Sequence, residues 1–131
     1  MTDREAVNAW LARYIEAWTS YDREQIGDLF AEGATYRFHP FDEPIRGREA
    51  IVESWYDEPD QARTFEAEYR PVAIDGDTAV AVGSSQYKDS PEGEVKRVYD
   101  NCFVIRFDAD GRCTEFTEWY VKRPDSERSP L

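Results

Sequence analysis

Val7, Trp10, Leu11, Tyr14 and Trp18 recur at three- and four-residue spacing and define one apolar face. The spacing predicts a helix over residues 3–20, with Asp3 as its cap. Thr19-Ser20-Tyr21-Asp22 breaks the pattern. Asp22, with Gln25 three residues on, reads as a capping box for a short second helix that carries Ile26, Leu29 and Phe30 inward and ends at Glu32-Gly33. Alternation then replaces the helical period, and residues 34–39 read as a strand. Residues 40–44 form a loop with two prolines. Gly47 precedes a third helix, from residue 48 to about 57, with Ile51 and Trp55 one turn apart. Residues 58–61 read as a turn.

Strands dominate the remainder. Residues 64–74 place Phe65, Ala67 and Tyr69 on one side. Asp75-Gly76-Asp77 is a hairpin signal, and residues 78–88 return from it. Ser90-Pro91-Glu92-Gly93 turns the chain into a long β-rich run over 95–107. Asp108-Ala109-Asp110-Gly111 turns it again into 113–122. Helices early and strands late predict an α+β domain over residues 1–124, with a frayed polar tail over 125–131. The sequence shows no internal repeat and no sign of a second domain.

The last turn fixes a provisional register. If Asp108 faces Gly111, then Asn101 faces Glu118, Phe103 faces Phe116 and Tyr99 faces Tyr120, all on one side of the sheet. The other side carries Cys102 opposite Thr117 and Arg106 opposite Cys113. The two sulfurs then lie roughly 13 Å apart at ~3.3 Å per residue, too far for a disulfide. Glu118 stands out because a carboxylate among four rings is costly unless paired or protonated. Burial there raises its pKa and suits it to general acid or base work. The structural alternatives are a bulge that turns it to solvent, or an Arg or Tyr that satisfies it.

Composition changes the picture in two ways. Four Trp, eight Tyr and seven Phe in 131 residues exceed the needs of a minimal core, so some rings are expected to line a cavity. The net charge of −12 disfavours nucleic-acid and anionic-membrane partners. No run of about 18 apolar residues suits a membrane span. The first residues lack a signal-peptide pattern, so a cytoplasmic protein is expected. One His and two Cys cannot assemble a standard structural zinc site, and no metal is assigned. No phosphate-binding glycine loop or Ser-His-Asp order appears, so no cofactor is implied.

Several stretches carry a resemblance: Arg13-Tyr14 with Ala17-Trp18, residues 29–36 (LFAEGATY), residues 44–51 (PIRGREAI), and residues 107–112 (FDADGR) with Glu118-Trp119-Tyr120. In these the chain resembles SnoaL-like members of the nuclear-transport-factor-2-like superfamily, over about residues 5–123. The resemblance implies a cone: a strongly curved mixed sheet around three helices, with a pocket inside. It also implies a homodimer through the outer sheet face.

Compared with the ketosteroid isomerases of that superfamily, Tyr14 matches the hydrogen-bonding tyrosine of the first helix. The general-base aspartate falls at Phe38, or at His39 with a one-residue shift. The second oxyanion donor falls at Phe103. A ketosteroid isomerase proper is therefore not implied.

The expected site has Glu118, His39 and Tyr14 as chemical groups. Its expected walls are Tyr36, Phe38, Trp55, Tyr69, Tyr99, Asn101, Phe103, Phe116 and Tyr120. His39 could act as a base, hold a weak metal site with Asp42 and Glu43, or simply bond backbone at the strand end. Trp18 and Phe30 are assigned mainly to the core. Two functions remain open. One is a cofactor-independent isomerase, dehydratase or hydrolase acting on a small apolar or aromatic molecule. The other is a ligand-binding or dimerisation module without turnover.

Overall fold

Asp3 and Asp22 start the first two helices by accepting backbone N–H bonds from Ala6 at 2.8 Å and Gln25 at 3.0 Å. A computed structural model describes residues 2–57, 59, 60 and 63–124. Helix α1 spans Arg4–Ser20 and α2 spans Arg23–Asp28. The Gln25 side chain does not complete a capping box. Its Oε1 accepts from Ser20 Oγ, which itself accepts the Asp22 N–H at 3.1 Å. Strands β1 (Phe30–Arg37) and β2 (Ile45–Arg46) precede α3 (Arg48–Trp55). Strands β3 (Phe65–Asp75), β4 (Thr78–Lys88), β5 (Val95–Phe107) and β6 (Cys113–Lys122) follow.

The six strands form one curved, unclosed sheet in the order β2-β1-β6-β5-β4-β3. β1 and β6 run parallel, and every other pair is antiparallel. The architecture is α+β, as expected. The apolar faces of the helices meet the concave side of the sheet. Val7, Trp10, Leu11, Ile26, Ile51, Phe103, Ile105 and Phe116 are buried together there. Trp10 Nε1 donates to the Leu29 carbonyl at 3.0 Å, tying α1 to the start of β1.

Three expectations are corrected. First, β1 begins at Phe30 rather than at residue 34, so Glu32-Gly33 lies inside a strand. The Leu29 carbonyl accepts the Cys113 N–H at 2.8 Å and Phe30 pairs with Cys113, so pairing with β6 claims the residues that helical spacing assigned to α2. A register irregularity between Phe30 and Thr35 leaves Glu32 and Gly33 exposed. Second, β2 lies in a stretch with no strand pattern. It is two residues long, and pairing with Thr35 and Tyr36 alone defines it. Third, α3 ends at Trp55.

The last hairpin is also corrected. Asp108 N–H bonds the Arg112 carbonyl at 2.9 Å around a three-residue loop, with Gly111 at φ 81°. A further irregularity between Arg106 and Phe107 adds a second one-residue step. Phe103 therefore faces Glu118, Asn101 faces Tyr120, Ile105 faces Phe116 and Tyr99 faces Lys122. Cys102 faces Trp119 and Arg106 faces Glu115. Two steps restore parity along most of the strand, so the predicted face survives although every predicted pair is wrong. Cys113 lies beyond the second step, pairs with Phe107 and is fully buried in the core. Both cysteines are free thiols. The turn expected over 58–61 falls partly, and the tail over 125–131 wholly, outside the described residues.

Candidate functional site

The concave side of the sheet does not close fully on the helices. It leaves a cavity of about 600 Å³ between α1, α3 and strands β1, β3, β4, β5 and β6. Seven of the eight tyrosines line it: Tyr14, Tyr21, Tyr36, Tyr69, Tyr87, Tyr99 and Tyr120. Their ring faces make an apolar wall and their hydroxyls make it polar at intervals. The site is therefore amphipathic rather than simply apolar.

Local sequence explains how the walls are placed. Tyr14 projects from the buried face of α1 with Trp10 and Leu11. Tyr36 and Phe38 share a side of the β1 end by alternation. Tyr69 on β3 faces Gly83 on β4. A Cβ at Gly83 would stand 1.9 Å from the Glu68 carbonyl oxygen and 2.6 Å from Tyr69 Cδ1. The glycine thus lets the Tyr69 ring lie across the sheet and reach Phe103, with ring centroids 4.6 Å apart.

Glu118 supplies the cavity with a part-buried carboxylate. Its Oε2 accepts from Asn101 Nδ2 at 2.8 Å, and Asn101 Oδ1 accepts from Ser85 Oγ at 3.0 Å. Burial pushes the carboxyl up to about 7, against the Asn101 hydrogen bond and the nearby His39 ring. Ser85 and Asn101 are themselves buried, so this row across β4, β5 and β6 is held on three strands. Nearby, the Tyr14 and Tyr36 hydroxyls lie 3.2 Å apart. Burial, with Glu118 adding its charge, raises both phenols well above their ordinary range and keeps them protonated donors. Tyr69 and Tyr87 are raised by burial as well, with Ser85 opposing the shift in each.

Of the expected site residues, Tyr14, Tyr36, Phe38, Trp55, Tyr69, Tyr99, Asn101, Glu118 and Tyr120 line the cavity. Phe103 and Phe116 do not. They pack behind the wall, where Phe116 stacks on Tyr36 with centroids 4.5 Å apart and Phe103 lies 5.7 Å from Tyr14. His39 also stands outside the wall and reaches it through the Tyr120 hydroxyl, 2.8 Å from Nε2. No cluster of three or more His, Cys, Asp or Glu side chains suited to a metal occurs among the described residues.

The sequence reading missed Tyr21, Ser54, Asp57, Asp60, Ser85, Tyr87 and Arg97 as lining residues. Parity along β4, from buried Ala79 and Ala81 through Gly83, would have found Ser85 and Tyr87. Asp60 carried no such signal. It meets Trp18 Nε1 at 3.0 Å and the Tyr21 hydroxyl, so a loop residue joins two rings of α1 and its cap only in the folded chain. Trp18, assigned to the core, is only part-buried. It lines the cavity and stacks on Phe65 at 4.1 Å. Phe30 is core, as expected.

A model of the SnoaL-like domain matches residues 11–116, most of the chain. The chain belongs to the SnoaL-like family. Solved structures share its fold. One is a protein of Kribbella flavida DSM 17836 named as a candidate ketosteroid isomerase, with TM-score 0.68 and 20% identity, covering 100% of this chain and 87% of the other. Another is a ketosteroid isomerase-like protein of Erwinia carotovora atroseptica SCRI1043, with TM-score 0.66 and 15% identity, covering 92% of this chain and 97% of the other. At these identities the likeness is one of fold. No curated protein sequence matches the chain. The SnoaL-like fold is typically a small-molecule-binding one, and it hosts unrelated chemistries, so function has to be argued from the site. No described helix is long and apolar enough to cross a membrane.

Proposed function

We propose that this SnoaL-like chain binds a small, ring-containing molecule that bears oxygen, and moves a proton on it with Glu118 as the base. The observation that carries this reading is a carboxyl raised to about 7, hydrogen-bonded to Asn101 at 2.8 Å, on the wall of a cavity large enough for such a ligand. A base with that pKa is half ionised near neutrality, where proton abstraction and return are both accessible. The Tyr14–Tyr36 hydroxyl pair offers a donor to a carbonyl oxygen as negative charge develops there. Tyr69, Trp55, Phe38 and Tyr99 supply faces for the ligand body. Proton transfer of this kind moves neither hydride nor electrons, so it asks for no cofactor.

The test is exchange of the α-protons of 2-tetralone in D₂O, followed by proton NMR. Exchange by the wild type that falls by about a hundredfold in Glu118→Gln supports the base role. Equal exchange in the two would sink it. A second reading, binding without turnover, is favoured by the apolar Phe38 and Phe103 at positions where the isomerase resemblance places aspartates. It predicts a thermal shift with 2-tetralone and no exchange.

We also propose that the protein is cytoplasmic and a homodimer. Trp119 and Val121, 43% and 70% exposed on the outer side of β6, support a self-contact there. Sedimentation of Val121→Lys as a monomer, against a wild-type dimer, is the expected result.

A further inference from the structure

Asp42, His39 and Tyr120 form a hydrogen-bonded chain from the surface to the cavity wall. His39 Nδ1 lies 2.9 Å from Asp42 Oδ2, and Nε2 lies 2.8 Å from the Tyr120 hydroxyl. The ring is held flat against Phe41, with centroids 5.3 Å apart and planes 11° apart. The loop behind it is closed by Asp42 N–H to the His39 carbonyl at 3.1 Å and by Arg37 Nε to the Asp42 carbonyl at 3.1 Å. The His39 side chain is 38% exposed, and Tyr120, 44% exposed itself, lines the cavity. A carboxylate only accepts, so Asp42 keeps the proton of a neutral imidazole on Nδ1. Nε2 then accepts from the phenol. When the imidazole is cationic, Nε2–H donates to the phenol oxygen instead and frees the phenol O–H for the cavity.

We propose that Tyr120 is a second proton-transfer residue of this cavity, supplied by His39, and that it protonates a hydroxyl leaving group of a β-hydroxy carbonyl ligand. His39 and Asp42 are positioning residues, since they act through Tyr120. The inference rests on the base role of Glu118 given above. Glu118 and Tyr120 are two residues apart on β6 and face the same side, roughly 6.6 Å apart along the strand. A ligand between them can lose a proton at one point and receive one a few bonds away.

The step balances within the ligand and these groups. Glu118 takes the α-proton and the C–H pair becomes the new C=C bond. The C–O bond to the β-hydroxyl breaks, and that oxygen takes the Tyr120 proton and leaves as water. The His39 Nε2 proton moves to the phenol oxygen; solvent then takes the proton from Glu118 and returns one to the exposed imidazole. Tyr120 starts and ends as a neutral phenol. That fits a phenol whose pKa is raised by burial and by the charges of Glu118 and Asp42. The groups facing His39 are Asp42 and Tyr120 by hydrogen bond and Glu118 by charge, with Arg37 bonded to the Asp42 carbonyl.

The test uses the full chain with 4-hydroxy-4-phenylbutan-2-one as probe, reading α-proton exchange by NMR and enone formation by absorbance. Tyr120→Phe and His39→Gln are expected to lose enone formation by about a hundredfold, far more than they lose α-exchange. Exchange without enone formation in the wild type, or enone formation undiminished in Tyr120→Phe, would overturn the relay. So would an equal fall of both readouts in the variants.

The single histidine gives an independent reading. In ¹⁵N spectra the neutral ring should be the Nδ1–H tautomer, and Tyr120→Phe should move the Nε2 resonance toward its unbonded position. An Nε2 resonance indifferent to that change overturns the relay. Absence of α-exchange in the wild type overturns the Glu118 reading instead, and the imidazole spectrum then decides the relay alone.

Discussion

Asn101 and Glu118 are hydrogen-bonded at 2.8 Å although they are not opposite each other: Asn101 faces Tyr120 and Glu118 faces Phe103. The bond runs diagonally across β5 and β6, within reach of long side chains on one face. It lowers the carboxyl pKa while burial raises it, and burial wins, leaving the group at about 7.

That balance makes stability depend on pH. A carboxyl at about 7 in the folded chain and about 4.3 in the unfolded one stabilises the fold fully below about 4.3, because the native state holds the proton more tightly. The contribution fades as pH rises through 7. Its full size is on the order of 2–3 kcal/mol after allowing for screening by cavity water. Glu118→Gln should remove this slope. Urea midpoints at pH 5 and pH 8 should therefore converge relative to wild type, with the variant gaining most at pH 8.

Removing the diagonal partner should shift the titration itself. Asn101→Leu deletes the hydrogen bond that holds Glu118 down, so the carboxyl should titrate above 7 by ¹³C NMR. It also strips Ser85 of its acceptor. The cost in stability should be about 1–3 kcal/mol. A titration that stays at 7 would mean that the bond does not tune the group.

The Tyr14–Tyr36 pair should show coupling. Tyr14→Phe or Tyr36→Phe alone leaves the other buried hydroxyl without this partner, at a cost of about 1–3 kcal/mol. The double variant should cost less than the sum of the two, and a double-mutant cycle in denaturant checks this. Simple additivity would mean that the 3.2 Å contact carries no energy.

Gly83→Ala tests how the wall is built. The added methyl meets the Glu68 carbonyl, which cannot withdraw without breaking β3 from β4. Destabilisation of about 1–3 kcal/mol or more is expected. The Tyr69 ring resonances should shift away from Phe103. An unchanged melting temperature would contradict the close approach.

The sequence by itself determined much of this protein. The periods of 3.6 and 2 residues, the aspartate caps and the Asp-Gly turns specify α1, β4, β5 and β6 nearly to the residue, because those signals are local. They also put Asn101, Glu118 and Tyr120 on one face. That assignment survived a wrong register because two one-residue steps cancel in parity.

Only tertiary structure decided the rest. Pairing, not local preference, started β1 at Phe30, opposite Cys113 of β6, and made a strand of Ile45–Arg46 against β1. A bulge, invisible to alternation, moved Cys113 into the core. Curvature of the sheet set Phe103 and Phe116 behind the wall and brought Asp60 to Trp18, 42 residues away. It also separated His39 from the cavity and linked it there through Tyr120, 81 residues on. Such contacts depend on strand order and sheet curvature, and neither leaves a mark in the spacing of residues along the chain.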